Sequence, residues 1–324
     1  MVSAVKAMLK RAGPALDIMA LPFVALASPV LWGLVKGNHR LPRSRGFVDR
    51  LGISLIRHHY YSPFVTKADI TKPLDSDRTL PGLDLNAAGQ FALAERFLYG
   101  EELRAVPMKK AAVDAYGYTN PTYGPGDSET LYNMIRHFKP ARLVEIGSGE
   151  STLMARLAIA ANMREDSAYS CRHICIEPYE QPWLEGIGVE VIRQMVQDTG
   201  LSVFEGLREN DILFIDSSHV IRPQGDVLYE YLFLVPKVPP GCLVHVHDIF
   251  TPRDYRADWV LDERRLWNEQ YLLEAFLSFN GQFEVLWAMN WLWHRHRAKL
   301  ERACPVLFNG GPREPSSFWM RRRK

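Results

Sequence analysis

Four side chains in two short stretches have the types and spacing for acid–base or metal chemistry. "DILFIDSSH" ends an apolar run on Asp216 and places His219 three residues later, and "VHVHDIF" ends another run on His247 and Asp248. Each stands where burial stops, and ionisable groups at such a boundary are disfavoured unless paired or liganded. Two chemistries fit. In one, Asp216, His247 and Asp248 hold Mg2+ or another divalent cation, leaving positions for substrate oxygens and lowering the pKa of a bound hydroxyl. In the other, His219, with Asp216 beside it, is the general base for an acceptor hydroxyl. The two are compatible. His245 shares the face of His247 by strand alternation and reads as a hydrogen-bonded core histidine. Ser217 and Ser218 read as turn formers.

A second set lies upstream in "LVEIGSGEST", residues 143–152. No GK[ST] follows the glycines, so a Walker phosphate loop is excluded. Gly147 and Gly149 match the first two glycines of a dinucleotide fingerprint, but Thr152 stands where the third belongs. Glu145, just before the loop, suits a ligand with a cationic amino group better than an anionic pyrophosphate. The glycines let the backbone approach a bulky ligand. Glu177 ends the next apolar run, "HICIEP", where an acid can accept from ribose hydroxyls. The alternative for Glu177 is a solvated strand-end acid.

"VEIGSGES" resembles the first motif, ExGxG, of the class I S-adenosylmethionine-dependent methyltransferases. "DILFIDSSHV", "VHVHDIF" and "WNEQYLL" look like the bacterial subgroup called methyltransferase-24-like, and the resemblance covers about residues 127–295. It implies that Glu145, Gly147, Ser148 and Gly149 surround the methionine part of S-adenosylmethionine and that Glu177 takes the ribose. Asp198, or Gln197 beside it, would then lie at the adenine edge. The rim is also similar to metal-dependent sugar and catechol O-methyltransferases, where an acid ends strand four and an acidic or amide pair follows strand five. The spacing of Asp216 and His219 resembles the sugar-directed members, whereas His247 occupies a position where an acid often stands. The activity so implied is an O-methyltransferase acting on a hydroxylated, saccharide-like acceptor, with or without a divalent cation. Two rivals remain: an NAD-dependent oxidoreductase, which shares the fold, and a non-catalytic membrane-associated binding protein on a methyltransferase scaffold.

The elements that must position these residues begin at Asp127. Helical "DSETLYNMIRHF", "ESTLMARLAIAAN" and "GDVLYEYLFLV" alternate with the strand-like runs "RLVEIG", "HICIEP", "VEVIRQMV", "DILFID" and "CLVHVHDIF". That alternation predicts an α/β fold with a doubly wound sheet, which the resemblance implies is a Rossmann-like methyltransferase sheet with an N-terminal accessory segment. "FEVLWAMNW" reads as a late strand. "ERRLWNEQYLLEAFLSFNG" reads as a helix closed by Asn280 and Gly281, with Trp267, Tyr271, Leu272, Ala275, Phe276 and Phe279 on its apolar face. The loop "TPRDYRADWV", with Arg253, Asp254, Tyr255 and Trp259, reads as an acceptor-site lid whose aromatic faces would suit a sugar ring.

The 324 residues divide by pattern into an apolar and basic segment 1–50, an accessory cap region 51–126, a methyltransferase domain 127–295 and a basic tail 296–324. His58, His59, Tyr60 and Tyr61 in the cap region suit either a substrate mouth or a surface cluster. Residues 1–50 and 295–324 carry +6 and +7 while the whole chain carries +2, so the middle is acidic. That distribution excludes a nucleic-acid groove and fits an anionic membrane surface or solvated tails. Residues 14–35 are apolar over a membrane's thickness, but Asp17, Pro22 and Pro29 weigh against a straight spanning helix. An interfacial helix or kinked hairpin, a spanning helix and a cleaved signal peptide all fit. Cofactor supply favours a cytoplasmic catalytic domain associated with the inner face of the membrane. The four cysteines show no metal-knuckle spacing and read as reduced and structural. Oligomeric state is not legible.

Overall fold

Short apolar runs build a seven-stranded sheet in the order β3-β2-β1-β4-β5-β7-β6. In chain order these are β1 (Arg142–Ile146), β2 (Arg172–Ile176), β3 (Glu190–Ile192), β4 (Ile212–Ile215), β5 (Leu243–Val246), β6 (Phe283–Ala288) and β7 (Phe318–Arg322). The first five are mutually parallel, and β7 runs antiparallel to both of its neighbours. In this computed structural model residues 2–37, 40–309 and 314–324 are described, with side chains from Gly13 onward.

The helices in chain order are α1 (Val2–Gly37), α2 (Pro42–Arg50), α3 (Ala87–Ala94), α4 (Gly100–Ala105), α5 (Asp127–Phe138), α6 (Glu150–Glu165), α7 (Asp226–Tyr229), α8 (Glu269–Leu277) and α9 (Met289–Arg295). α7 runs on through a π-helical turn, Glu230–Leu234. Alternation along the strands sends Leu143, Phe214 and Trp319 into one core with Leu131, Met154 and Trp287. Val144, Leu213, Val244 and Met320 go into a second core with Val227 and Leu273. With both faces covered, β4 and β5 are buried at every residue, as parallel central strands are. Strand order reverses between β1 and β4, so the crevice beyond their carboxyl ends is where this fold takes a ligand.

The chain forms two compact units, Met1–Asp69 and Ile70–Lys324. The expected accessory region 51–126 is therefore shared between them. In the first unit α1 continues through Pro14, Pro22 and Pro29, so the chain does not turn back there as a hairpin. Tyr60 and Tyr61 are 79% and 81% exposed and cluster with the His59 ring.

Three further expectations change in the second unit. The basic tail is not all tail, because Phe318, Trp319 and Met320 are buried in β7 between β5 and β6. The helix expected to reach Asn280 ends at Leu277, and Phe279, at φ +58°, is 89% exposed rather than core. Trp267 lies ahead of α8 in extended chain rather than on its apolar face.

Candidate active site

The loop after β1 is held by its neighbours on both sides. Gly147 donates its N–H to Ile176 of β2, and Asp216 donates its own to Ile146, so the loop sits between the ends of β2 and β4. Gly147 has φ +77°, and a Cβ there would lie 1.9 Å from the Asp216 carbonyl oxygen. Only glycine fits. At Gly149 a Cβ would find its nearest neighbour 3.8 Å away, at Gln181 Nε2, so that side of the loop is open.

Thr152 explains the missing third glycine. Its hydroxyl accepts the Gly149 N–H at 3.0 Å and donates to Glu145 Oε2 at 2.8 Å, tying the start of α6 to β1. Glu145 is 1% exposed and also accepts from Ser151 at 2.6 Å, with His173 Nε2 at 2.9 Å. Both of its oxygens are committed. Glu177 accepts the N–H groups of Ser148 on Oε2 and of Tyr179 and Glu180 on Oε1, which orders the loop beside β2 and leaves lone-pair capacity on Oε2. Asp198 is exposed, whereas the Oε1 of Gln197 is buried without a protein partner.

Across the crevice the ends of β4 and β5 bring Asp216, His219, His247 and Asp248 together. Asp216 Oδ1 lies 3.3 Å from His219 Nε2 and 3.4 Å from His247 Nδ1. Asp248 approaches His247 Nδ1 at 3.7 Å and His219 Nε2 at 3.9 Å, and accepts from the Ser316 hydroxyl at 2.9 Å. His219 and Asp248 have φ +60° and +56°, a conformation that costs a non-glycine residue about 1 kcal/mol or more and clusters at functional sites.

Two residues that sequence reasoning missed complete the rim. Glu269, at the start of α8, accepts from His219 Nδ1 at 2.8 Å and from the Tyr231 hydroxyl at 3.1 Å. Asp127, at the start of α5, takes the N–H groups of Ser316 and Ser317 and stands 3.5 Å from His247 Nε2. In the sequence Asp127 looks like an ordinary helix-start acid and Glu269 like an acid inside a longer helix, and only the fold carries them to the ends of β4 and β5. Burial opposes charge on His219, yet the hydrogen bonds it donates to Asp216 and Glu269 outweigh it and hold its pKa well above the ordinary value. Burial likewise opposes charge on His247, but Asp248 and Asp216 raise it to about 10. Burial would raise Asp216, and His247 and His219 instead keep it well below the usual range.

Residues 144–249, from β1 to just past β5, match the family model described as a methyltransferase domain. That match spans about a third of the chain and takes in the glycine loop and the rim residues Asp216, His219, His247 and Asp248. An uncharacterized protein of Archaeoglobus fulgidus is 28% identical over 179 residues, a match covering 48% of this chain and 74% of that protein. Among solved structures, the O-methyltransferase from Bacillus cereus in complex with SAH gives a TM-score of 0.37 at 14% identity, covering 72% of this chain and 91% of that one. The plantazolicin methyltransferase BpumL in complex with SAH gives 0.36 at 9% identity, covering 72% and 95%.

Several expected site residues of the methyltransferase domain change role. Glu145 does not offer a free carboxylate to a cationic ligand, since its oxygens bind α6 and His173. Glu145, His173 and Cys175 have ligand-type atoms within 4.8 Å of one another. They are enclosed, however, and Glu145 Oε2 already bonds the other two. His219 does not present an open nitrogen, because each faces a carboxylate. His245 is a core residue, but it is held by rings rather than hydrogen bonds, stacked 3.9 Å from Phe214 and edge-on to Trp319 at 4.7 Å. Ser217 and Ser218 bind Glu230 and Asp226 and so fasten the turn to α7. The expected lid aromatics turn inward: Tyr255 and Trp259 are 2% and 5% exposed and pack with Phe250.

Proposed function

We propose that the methyltransferase domain transfers a methyl group to the hydroxyl of a polyhydroxylated, saccharide-like acceptor, with Asp216 and His219 as the proton-handling pair. Gly147, Ser148 and Gly149 would line the methionine end, Glu177 the ribose, and Gln197 rather than Asp198 the adenine edge. The fit rests on the open side of Gly149 and on the unmatched Gln197 oxygen. S-adenosylmethionine, when bound, supplies a methyl group activated on a sulfonium.

The single observation that carries the acceptor reading is exposure within the rim. The Asp216 side chain is 29% exposed, whereas those of His219, His247 and Asp248 are 6%, 3% and 5%. Asp216 is the member an acceptor can reach. It would accept the hydrogen bond of the acceptor's hydroxyl and take that proton as the oxygen is methylated. His219, clamped between Asp216 and Glu269, fixes the orientation of that carboxylate. Holding oxygen, methyl and sulfur in line supplies several kcal/mol, roughly 7–11 at best.

Asp216→Asn and His219→Ala should each keep S-adenosylhomocysteine affinity within about twofold by calorimetry. Methyl transfer to a polyol and sugar panel should fall about 10²–10⁴-fold. Undiminished turnover in both variants removes the pair from the mechanism. A second reading is favoured by the closeness of His247 Nδ1 to Asp216 and Asp248, a donor set suited to a divalent cation. It requires loss of turnover in EDTA, with recovery on adding Mg2+ or Mn2+; a rate unchanged in EDTA overturns it.

A further inference from the structure

We propose that α1 is a single membrane-spanning anchor that leaves the Ile70–Lys324 unit on the cytosolic side. Within Gly13–Gly37 the most apolar 18-residue window has mean hydropathy 2.1, and none of it is buried by protein. Ile18, Met19, Leu21, Val24, Leu26 and Trp32 are 55–79% exposed and, at about 100° per residue, point in all directions around it. A helix lying in the interface needs a polar face to keep in water, and this one has none. Its 25 residues rise about 37 Å, enough for a hydrocarbon layer of about 30 Å.

The polar exceptions fit the same placement. Asp17 is the one charged residue between Gly13 and Val35, and it stands within the first turn or so, near headgroup depth. Ser28 returns its hydroxyl to the Ala25 carbonyl at 2.8 Å, so it brings no unpaired donor into lipid. Near the other end the Lys36 ammonium sits 3.9 Å from the Trp32 ring centre, an aromatic and basic pair suited to the interface. The prolines are tolerable in a spanning helix, where hydroxyl side chains and local adjustment of the turn re-satisfy the freed backbone groups.

Charge sets the orientation. Lys6, Lys10 and Arg11 precede the apolar segment, and Lys36, Arg40, Arg43, Arg45 and Arg50 follow it. Three of the latter belong to α2, which buries no residue and can lie on anionic headgroups. The larger Lys/Arg cluster stays on the cytosolic side, which places the following unit there.

The test uses the full chain expressed in bacterial membranes. We expect it to resist alkaline carbonate extraction, to keep its N-terminal sequence, and to lose its Ile70–Lys324 unit to protease only in inside-out vesicles. The double variant Leu21→Arg/Val24→Arg should move to the soluble fraction with S-adenosylhomocysteine affinity unchanged, which separates loss of the anchor from loss of the fold. Extraction by carbonate, an N-terminus starting beyond the apolar segment, protection in inside-out vesicles, or a double variant that stays in the membrane would each overturn the proposal.

Discussion

One methyl group of space separates the two loop glycines. At Gly147 an added Cβ meets the Asp216 carbonyl at 1.9 Å under a positive φ, so Gly147→Ala must push β1 and β4 apart. It should cost about 2–4 kcal/mol in urea unfolding and distort the rim as well, because the colliding atom belongs to Asp216 itself. At Gly149 nothing lies closer than 3.8 Å, so Gly149→Ala should change stability by about 1 kcal/mol or less. Its effect should instead be a weakening of S-adenosylhomocysteine binding of about tenfold or more by calorimetry. Equal effects on stability in the two variants would contradict this division. The sequence made both glycines and the four rim residues legible, because each interrupts an apolar run. It could not show that Glu145 faces inward, since the Ser151, Thr152 and His173 contacts depend on how α6 and β2 close around β1. It also hid Glu269, fifty residues from the His219 ring it holds.

At the scale of elements, Arg78 ties the stretch before α3 to α8. Arg78 donates to both oxygens of Glu274 on α8, at 2.8 and 2.5 Å, and to the Arg253 carbonyl. Glu274 also accepts from Thr251, and its side chain is 8% exposed. Arg78→Met would leave that carboxylate without its cation, which costs about 3–5 kcal/mol for a buried pair and less where water reaches it. We expect a loss of about 2–4 kcal/mol by thermal or urea denaturation, with Thr251→Val adding little in the Arg78→Met background. The strands β1, β2, β4 and β5 were readable because both faces are covered and apolar residues dominate each run. β7 was not, since the arginines and lysine from Arg321 onward made the segment look like a solvated tail. The signal that could have found it is the apolar triplet Phe318, Trp319 and Met320 ahead of those charges.

For the molecule as a whole, a buried acid links stability to pH. Glu129 receives the N–H groups of Gly126, Val306 and Leu307, joining the start of α5 to the chain beyond α9. Burial raises its pKa to about 7 despite those donors. A folded-state pKa above the unfolded value means the native state holds the proton, so this contribution is full below about pH 4.5 and is lost as pH rises through about 7. Stability should therefore decline by up to about 3 kcal/mol across that window, and Glu129→Gln should flatten the slope. A slope unchanged by that substitution would assign the effect to other groups. The charge asymmetry of the chain was plain from the sequence, but which basic residues flank a helix and which enter the sheet required the fold.

The place of β7 between β5 and β6 has a consequence for biosynthesis. While the chain is being made, residues 243–246 and 283–288 emerge with their facing edges open, and no local partner can close them. Only after residues 318–322 appear can the last ladders zip, a late and long-range step that exposes strand edges to neighbouring chains. Slow translation over residues 290–318 should lengthen that window and raise the share of protein lost to aggregation, while leaving the native state of the survivors unchanged.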